Sequence, residues 1–199
     1  MRLRTFLTCF SLLPLSACTR SCNDYDNNEE FARAQLPAYS ETGANTLGCR
    51  LGTQTWTVLG SYALKGGLGT SWRPNVLQID GGTLVAPLLY VRGQMTGVRN
   101  GQEFYDTEIT LAFRPSDTLG GLRLLGADTA RVPTSRAEHM KAFDLLPFRS
   151  YESRNHRPVR LLIRKLDRQQ RIVSGTFEGQ LYSQTDSLAV SDGRFDVKY

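Results

Sequence analysis

Apolar and polar residues alternate in short runs along most of the chain. Ile109, Leu111 and Phe113 fall on one side of an extended strand, while Glu108 and Thr110 fall on the other. A period of two is typical of strands that turn one face to a core and the other to solvent. Most of the chain is therefore predicted to be β-structure. The same period recurs in three later runs, whose inward positions are Val159, Leu161 and Ile163; Phe177, Gly179 and Leu181; and Phe195, Val197 and Tyr199.

Turn signals separate these runs, and helix signals are weak. Asp80–Gly82 and Asn100-Gly101 are typical of hairpin turns, and Asp192-Gly193 fits either a turn or a bulge within one strand. Residues 134–142 begin with Thr and Ser and predict a helix of one or two turns. About eight to ten short strands predict an all-β fold, an antiparallel β-sandwich or partly open barrel with one short helix at most. Residues 159–199 are predicted to be two or three consecutive antiparallel strands within it.

The N-terminus reads as an export signal rather than as part of the fold. Arg2 and Arg4 precede an apolar run from Phe6 to Leu15, which ends in the small residues Ser16 and Ala17. A basic start, a short apolar stretch and small residues at a cleavage point are typical of a signal peptide. The run is shorter than the roughly 20 apolar residues that a membrane-spanning helix needs. We therefore assign residues 1–17 to a signal peptide.

A cysteine follows the small pair directly. The stretch Leu15–Cys18 resembles the lipobox of bacterial lipoproteins. In that family the cysteine sulfur receives a diacylglycerol, the peptide is cut before the cysteine, and the new amino group is acylated. The resemblance implies that Cys18 is lipidated and anchors the protein to a membrane of the bacterial cell envelope, which we expect to be the outer membrane. A plain secretory signal is the alternative.

Between this cysteine and the first strand the chain is polar. Residues 23–30 are mostly acidic residues and asparagine, and residues 40–46 are small and polar, so neither stretch can bury a core. We therefore divide the mature chain into an acylated cysteine with a flexible tether, residues 18–47, and a single β domain, residues 48–199. A short helix over Asn28–Gln35 would be marginal on its own.

The cysteines leave two alternatives open. Cys9 leaves with the signal peptide and Cys18 is the lipid site, so Cys22 and Cys49 remain. In an oxidising compartment these two could form a disulfide worth about 3 kcal/mol on the chain-entropy model. Alternatively, Cys49 is a small buried residue of the first strand and Cys22 is a free thiol. The remaining cysteines and the two isolated histidines have no metal-ligand spacing, so we expect no metal and no cofactor.

The charge balance argues against nucleic acid as a partner. The formal net charge is +5, and loss of the two signal-peptide arginines lowers it further. Positive charge that is spread along the chain is not the concentrated patch that nucleic-acid binding requires. The later arginines, among them Arg160 and Arg164, could contact anionic glycolipid or polysaccharide, or could be a solvated surface.

No residue set predicts catalysis. The chain has no Gly-x-Ser-x-Gly elbow, and we expect His139 and His156 to be exposed loop residues. Asp106 and Glu108 share one strand face, but polar residues on a solvent face look the same. We therefore expect a non-enzymatic protein without catalytic residues. A second group of charged residues can share a face in the same way if its segment runs straight: Asp192, Arg194 and Asp196.

The aromatic residues supply the candidate ligand-binding positions. Trp56 lies in an alternating strand and is predicted to be core. Trp72 and Tyr105 lie in loop-like contexts where an exposed ring could stack on a sugar or contact a peptide. Packing within the core or beneath a loop is the alternative for both.

Both ends of the predicted domain resemble one family. Residues 42–51 followed by Trp56 resemble the opening of a group of uncharacterised lipoproteins from Bacteroidota, and residues 171–177 and 185–196 resemble its closing hairpin. The resemblance implies an all-β domain and no particular activity. We expect a lipid-anchored envelope protein that binds a glycan, lipid or small ligand. The alternative is a structural or interaction subunit of an envelope complex.

Overall fold

The computed structural model describes nine stretches of the chain. They are residues 26–59, 61–63, 69–71, 75–76, 88–100, 102–114, 122–126, 138–146 and 148–199. Cys18, Cys22, Trp72 and the predicted turn at Asp80–Gly82 lie outside the described residues, as does the predicted signal peptide.

The described residues form one short helix and thirteen strands. The helix α1 spans Asn28–Ala32. The strands are β1 Thr46–Leu51, β2 Gln54–Thr57, β3 Ser61–Ala63, β4 Gly69–Ser71, β5 Asn75–Val76, β6 Leu89–Arg99, β7 Gln102–Phe113, β8 Leu122–Leu125, β9 His139–Asp144, β10 Arg149–Glu152, β11 Val159–Asp167, β12 Ile172–Tyr182 and β13 Ser187–Lys198.

Eleven of these strands form one nearly closed antiparallel sheet, so the predicted all-β class is confirmed. The path runs β2-β1-β13-β12-β10-β9-β7-β6-β5, and β11 branches from β12 and pairs with β8. The predicted consecutive strands over residues 159–199 are β11, β12 and β13. Beyond β2, the Leu59 N–H donates to the Gln94 carbonyl of β6 (3.2 Å), and the Thr96 N–H donates to the Leu59 carbonyl (2.9 Å). These two bonds bring the ends of the path together.

The branch at β12 divides the sheet. One edge of β12 pairs with β13 almost throughout. The other edge pairs with β11 from Ile172 to Glu178, and then with β10 at Tyr182 alone. The β11–β8 pair therefore branches from the main path of the sheet at β12.

Most of the inward residues predicted from the period of two fill the barrel, whereas Gly179 and Tyr199 are only partly buried. Val159, Leu161, Ile163, Phe177 and Leu181 are all buried. The same holds for the inward residues of β7 and for Phe195 and Val197 of β13.

Aromatic side chains occupy the centre of this core. The Phe195 ring lies 5.9 Å from the Phe113 ring and 6.4 Å from the Phe177 ring. Trp56 is completely buried, and its indole N–H donates to the Thr107 carbonyl across the barrel (3.1 Å). The prediction that Trp56 is a core residue is confirmed.

The predicted helix over residues 134–142 is wrong where the structure describes it. His139–Asp144 is the strand β9, and His139 is buried rather than exposed. Met140 and Ala142 pair with Leu111 and Ile109 of β7, so both point into the core. Pairing with a buried neighbour outweighs the helix preference of the local sequence.

Both remaining turn signals have clear outcomes. Arg99 pairs with Gln102, so β6 and β7 form a hairpin at the predicted turn, of which Asn100 is described and Gly101 lies outside the described residues. Asp192-Gly193 is a bulge inside β13 rather than a turn, because the pairing with β12 shifts between Phe177 and Gly179. Asp192 adopts a positive φ of 52° at this bulge.

The described part of the predicted tether packs against the barrel. The buried Asn27 side chain donates to the Thr96 carbonyl (2.7 Å) and accepts from the Val98 N–H (2.6 Å), which extends the edge of β6. In α1, the Phe31 ring packs edge-on against Phe104 and Tyr105 of β7. Tertiary contacts therefore hold a helix that would be marginal alone. Among the described residues, no helix has the length and apolar character needed to cross a membrane.

Candidate ligand-binding groove

A groove of about 450 Å³ lies on the outer face of the sheet where β8, β11, β12 and β13 run side by side. Strand register explains its lining. Leu122 of β8 pairs with Leu162 of β11, Leu162 pairs with Thr176 of β12, and Thr176 pairs with Arg194 of β13. One step along the same face, Leu124 pairs with Arg160. Because alternate side chains of a strand share a face, these two rows form one continuous surface.

Two bulges shape this surface. The pairing between β11 and β12 shifts between Ile163 and Lys165, which leaves Arg164 as the extra residue. The bulge of β13 sets Asp192 and Arg194 beside the row on the other side. Bulges bend a strand and re-aim its side chains, and here they accompany the charged side chains of β11 and β13 that line the groove.

One wall of the groove comes from the N-terminal segment. Tyr39 lines the groove, and its hydroxyl donates to Glu41 (2.5 Å). Partial burial raises the pKa of Tyr39 to about 12, and the bond to Glu41 acts in the same direction. The Tyr39 side chain is therefore neutral at physiological pH, and it lines the groove with both apolar and polar atoms.

Asp196 holds this wall in place. Its buried carboxylate accepts hydrogen bonds from the Ser40 hydroxyl (2.5 Å) and from the backbone N–H groups of Thr42, Gly43 and Ala44 (3.0, 2.8 and 3.0 Å). Burial alone raises the pKa of Asp196, but these four bonds outweigh it and hold the pKa below its usual range. The carboxylate is therefore a structural anchor for residues 40–44.

The groove lining contains more arginines than acids. Arg160 pairs with Glu178 (3.3 Å), while Asp192 pairs with Arg50, which lies outside the groove (3.1 Å). Arg194 donates to the backbone carbonyl of Asp192 (3.2 Å). Within the described residues, neither Arg164 nor Arg194 has a carboxylate partner. These two guanidinium groups, set beside Leu162 and Tyr39, suit a ligand that has an anionic group and an apolar or ring surface.

The other acids considered from the sequence have different surroundings. Glu108 forms an ion pair with Arg92 on the outer face. Asp106 is buried and accepts from the Gln94 amide (2.5 Å) and the Thr96 hydroxyl (3.2 Å). Burial raises the pKa of Asp106, although both bonds oppose this shift.

The two histidines differ in burial, and neither belongs to a metal-binding cluster among the described residues. His139 is buried in β9, and His156 is exposed with its ring 6.1 Å from the Tyr182 ring. In the part of the chain that the structure describes, no three His, Cys, Asp or Glu side chains are placed to hold a metal ion.

Two of the residues singled out from the sequence lie within the described structure but away from the groove. Cys49 is a free, fully buried thiol in β1, and burial raises its pKa far above the usual range. This placement matches the alternative of a small core residue. Tyr105 packs beneath Phe31 at the end of the barrel, and burial raises its pKa to about 12.

Sequence reasoning missed the groove because its residues come from four strands and from the N-terminal segment. One local signal was present. Leu162 is apolar at a position that the period of two assigns to the outer face, and arginines stand two residues before and two residues after it. An apolar residue between two outward arginines indicates a surface that has an apolar part as well as solvated charges.

Comparison of the chain with protein-family models, curated proteins and solved structures gives no match.

Proposed function

We propose that this chain is a lipid-anchored protein of the bacterial cell envelope whose β domain is a non-enzymatic binding module. The ligand is a glycan, lipid or small molecule with an anionic group. The groove between β8, β11, β12 and β13 is the binding site. We also propose that the chain is related to the uncharacterised Bacteroidota lipoproteins that it resembles and that it lies at the outer membrane.

The observation that carries the proposal is a pair of guanidinium groups that have no carboxylate partner among the residues that the structure describes. Arg164 of β11 and Arg194 of β13 line the groove together with Leu162, Thr176 and Tyr39. Arginine is suited to carboxylate and phosphate groups because its planar fork donates two parallel hydrogen bonds. A groove that has both charged groups and apolar area can orient an anionic ligand as well as bind it.

The export signal supports the envelope location. The lipobox-like stretch Leu15–Cys18 follows a basic start and a short apolar run. One acyl chain alone binds membranes marginally, whereas several chains anchor a protein stably. An acylated Cys18 would therefore keep the groove at a membrane surface.

Isothermal titration calorimetry tests the groove. The probes are oligogalacturonate, which carries sugar carboxylates, a short-chain phosphatidic acid, and a neutral maltooligosaccharide. We expect one of the two anionic probes to bind and the neutral probe not to bind. The double substitution Arg164→Ala and Arg194→Ala should weaken that binding roughly tenfold or more, because charge-assisted bonds are lost.

The matched control is Arg149→Ala, which removes an exposed arginine of β10 outside the groove. It should leave the affinity unchanged, and all variants should melt at the temperature of the parent. Equal affinity of the double variant and the parent for the bound probe would contradict the proposed site. Binding of the neutral probe alone would contradict an anionic ligand.

An interaction subunit of an envelope complex is the second candidate. Leu122 and Leu124 are exposed on β8, and among the described residues β8 pairs on one edge with β11. An exposed apolar edge strand is a place where another chain can add a strand. Photo-crosslinking from position 124 in intact cells would reveal such a partner, whereas a ligand-binding module should give no specific protein adduct there.

A further inference from the structure

One end of the barrel combines the β6–β7 hairpin with the turn between β9 and β10. Thr107 of β7 pairs with Asp144, the last residue of β9. The Leu145 N–H then donates to the Asp106 carbonyl (2.8 Å), so the β9–β10 turn lies beside the start of β7. We call this region, residues 99–100, 102–106, 144–146 and 148–149, the hairpin end.

The hairpin end has a concentration of exposed apolar side chains. Phe148 is 81% exposed, Leu146 47% and Phe104 42%. They are three of the six large hydrophobic residues that are exposed in the described part of the chain. The Phe148 ring makes an edge contact with Phe143 (6.2 Å). A group of exposed large apolar side chains on one surface marks a site of contact with a protein or a membrane.

The N-terminal segment joins the barrel at this same end. The Asp26 carboxylate accepts from the Asn100 N–H in the hairpin turn (3.2 Å), and the Asn28 side chain accepts from Arg99 (2.8 Å). Seven residues lie between Cys18 and Asp26, and the eight steps from one to the other span about 28 Å in a fully extended chain. An anchored Cys18 would therefore keep the hairpin end within that distance of the bilayer, whatever path residues 18–26 take.

Charge at the hairpin end does not favour anionic lipid. Acidic residues at and beside the hairpin end outnumber basic ones: Asp26, Glu29, Glu30, Glu103, Asp106 and Asp144 against Arg33, Arg99 and Arg149. One of the arginines, Arg33, is already paired with Glu29 (3.3 Å). Attraction to this surface must then come from burial of apolar area, which salt does not screen.

We infer that the hairpin end rests on the lipid bilayer, with Phe148, Leu146 and Phe104 among the headgroups. This inference uses the anchor at Cys18 from the proposed function to choose a lipid surface over a protein partner. Apolar side chains of a surface-bound protein insert into the boundary between headgroups and acyl chains. The contact would orient the barrel relative to the membrane, which a flexible lipid anchor alone does not do.

Vesicle flotation tests the contact without the anchor. The protein is residues 18–199 with Cys18→Ser, which retains every residue that the structure describes, and the vesicles are pure phosphatidylcholine. We expect the protein to float with the vesicles, equally at low and high salt. Leu146→Ser with Phe148→Ser should reduce the bound fraction roughly tenfold, since two exposed apolar side chains no longer insert.

The matched control is Leu122→Ser with Leu124→Ser, which removes two leucines of similar exposure from β8. It should float like the parent, and each variant must keep the parent's melting temperature. Failure of the parent to float would overturn the inference in favour of a protein partner or none. Equal flotation of the parent and the hairpin-end variant would also overturn it, because lipid would then bind elsewhere.

Mass spectrometry of the mature N-terminus tests separately whether Cys18 is acylated. An unacylated Cys18 would contradict the anchor, while loss of flotation in the hairpin-end variant would still support the lipid contact. An acylated Cys18 together with no flotation of the Cys18→Ser chain would support the anchor and contradict the lipid contact.

Discussion

At the scale of single residues, Asp196 and Asp106 show how surroundings separate two buried carboxylates. Asp196 accepts four hydrogen bonds from residues 40–44, and its pKa lies below the usual range. Asp106 accepts two side-chain hydrogen bonds, and burial keeps its pKa above that range. Burial raises the pKa of both carboxylates; four donors outweigh it at Asp196, whereas Asp106 has two donors and the charge of Glu108, which also raises its pKa.

Asp196→Asn should destabilise the fold at neutral pH. The folded-state pKa of Asp196 is lowered, so its ionised form stabilises the protein above the unfolded-state pKa of about 4. That contribution is lost as the pH falls through the folded-state pKa. We expect Asp196→Asn to lower the free energy of unfolding by about 2–3 kcal/mol at pH 7, and by less at pH 3.

Urea unfolding at the two pH values measures this difference. The control is Glu178→Gln, which breaks an exposed ion pair and should cost under about 1 kcal/mol at either pH. An Asp196→Asn deficit of the same size at pH 3 and pH 7 would contradict the proposed role of the charge.

At the scale of elements, the bulge of β13 matters most to the groove. It inserts an extra residue opposite β12 and so sets Asp192 and Arg194 at the groove side. Gly193 is needed at this point because a Cβ there would overlap the carbonyl oxygen and the ring of Phe177. The bulge therefore depends on one close approach between neighbouring strands.

Gly193→Ala should cost about 2–3 kcal/mol of unfolding free energy, because the backbone of β12 or β13 must shift to admit the methyl group. Gly52→Ala is the control. Gly52 has a φ of +58° but open space around it, so alanine there adds only conformational strain of about 1 kcal/mol. Thermal melts of both variants measure the comparison. A smaller loss at Gly193 than at Gly52 would mean that the bulge relaxes easily.

At the scale of the whole molecule, the N-terminal segment links the predicted lipid site to both sides of the barrel. Residues 26–28 bond to the β6–β7 hairpin, and residues 40–44 bond to β13. The part of the tether that the structure describes is thus bound to the domain at two places. The distance between the domain and the predicted lipid site is therefore limited to the reach of residues 18–26.

Cys18→Ser should abolish acylation, because the thiol is the acceptor at the predicted cleavage site. It should also shift much of the protein from the membrane fraction to the soluble fraction, because the apolar contact of the hairpin end binds lipid only reversibly. Membrane fractionation with mass spectrometry of the N-terminus measures both effects. Cys22→Ser is the matched control and should stay with the membrane fraction. A wild-type chain that begins at Thr19, or carries no acyl group, would contradict the lipoprotein proposal.

The local pattern of the sequence predicts part of the fold and little of the groove. The period of two identifies β11, β12 and β13 because it reflects one buried and one exposed face, a property of each strand alone. Local cap signals assign a helix to residues 134–142, although Met140 and Ala142 are core residues of β9. Their partner strand is 30 residues away, so no local window includes it.

What the sequence determined by itself is the all-β class, the inward residues of its main strands and the core position of Trp56. These follow from solvent preference, which each side chain has wherever its strand is placed. Only the tertiary structure decided that the sheet nearly closes, that Asp192-Gly193 is a bulge, and that residues 26–45 pack on the barrel. It also brought Arg164 and Arg194 to one groove, because hydrogen bonding between strands sets which distant residues share a face.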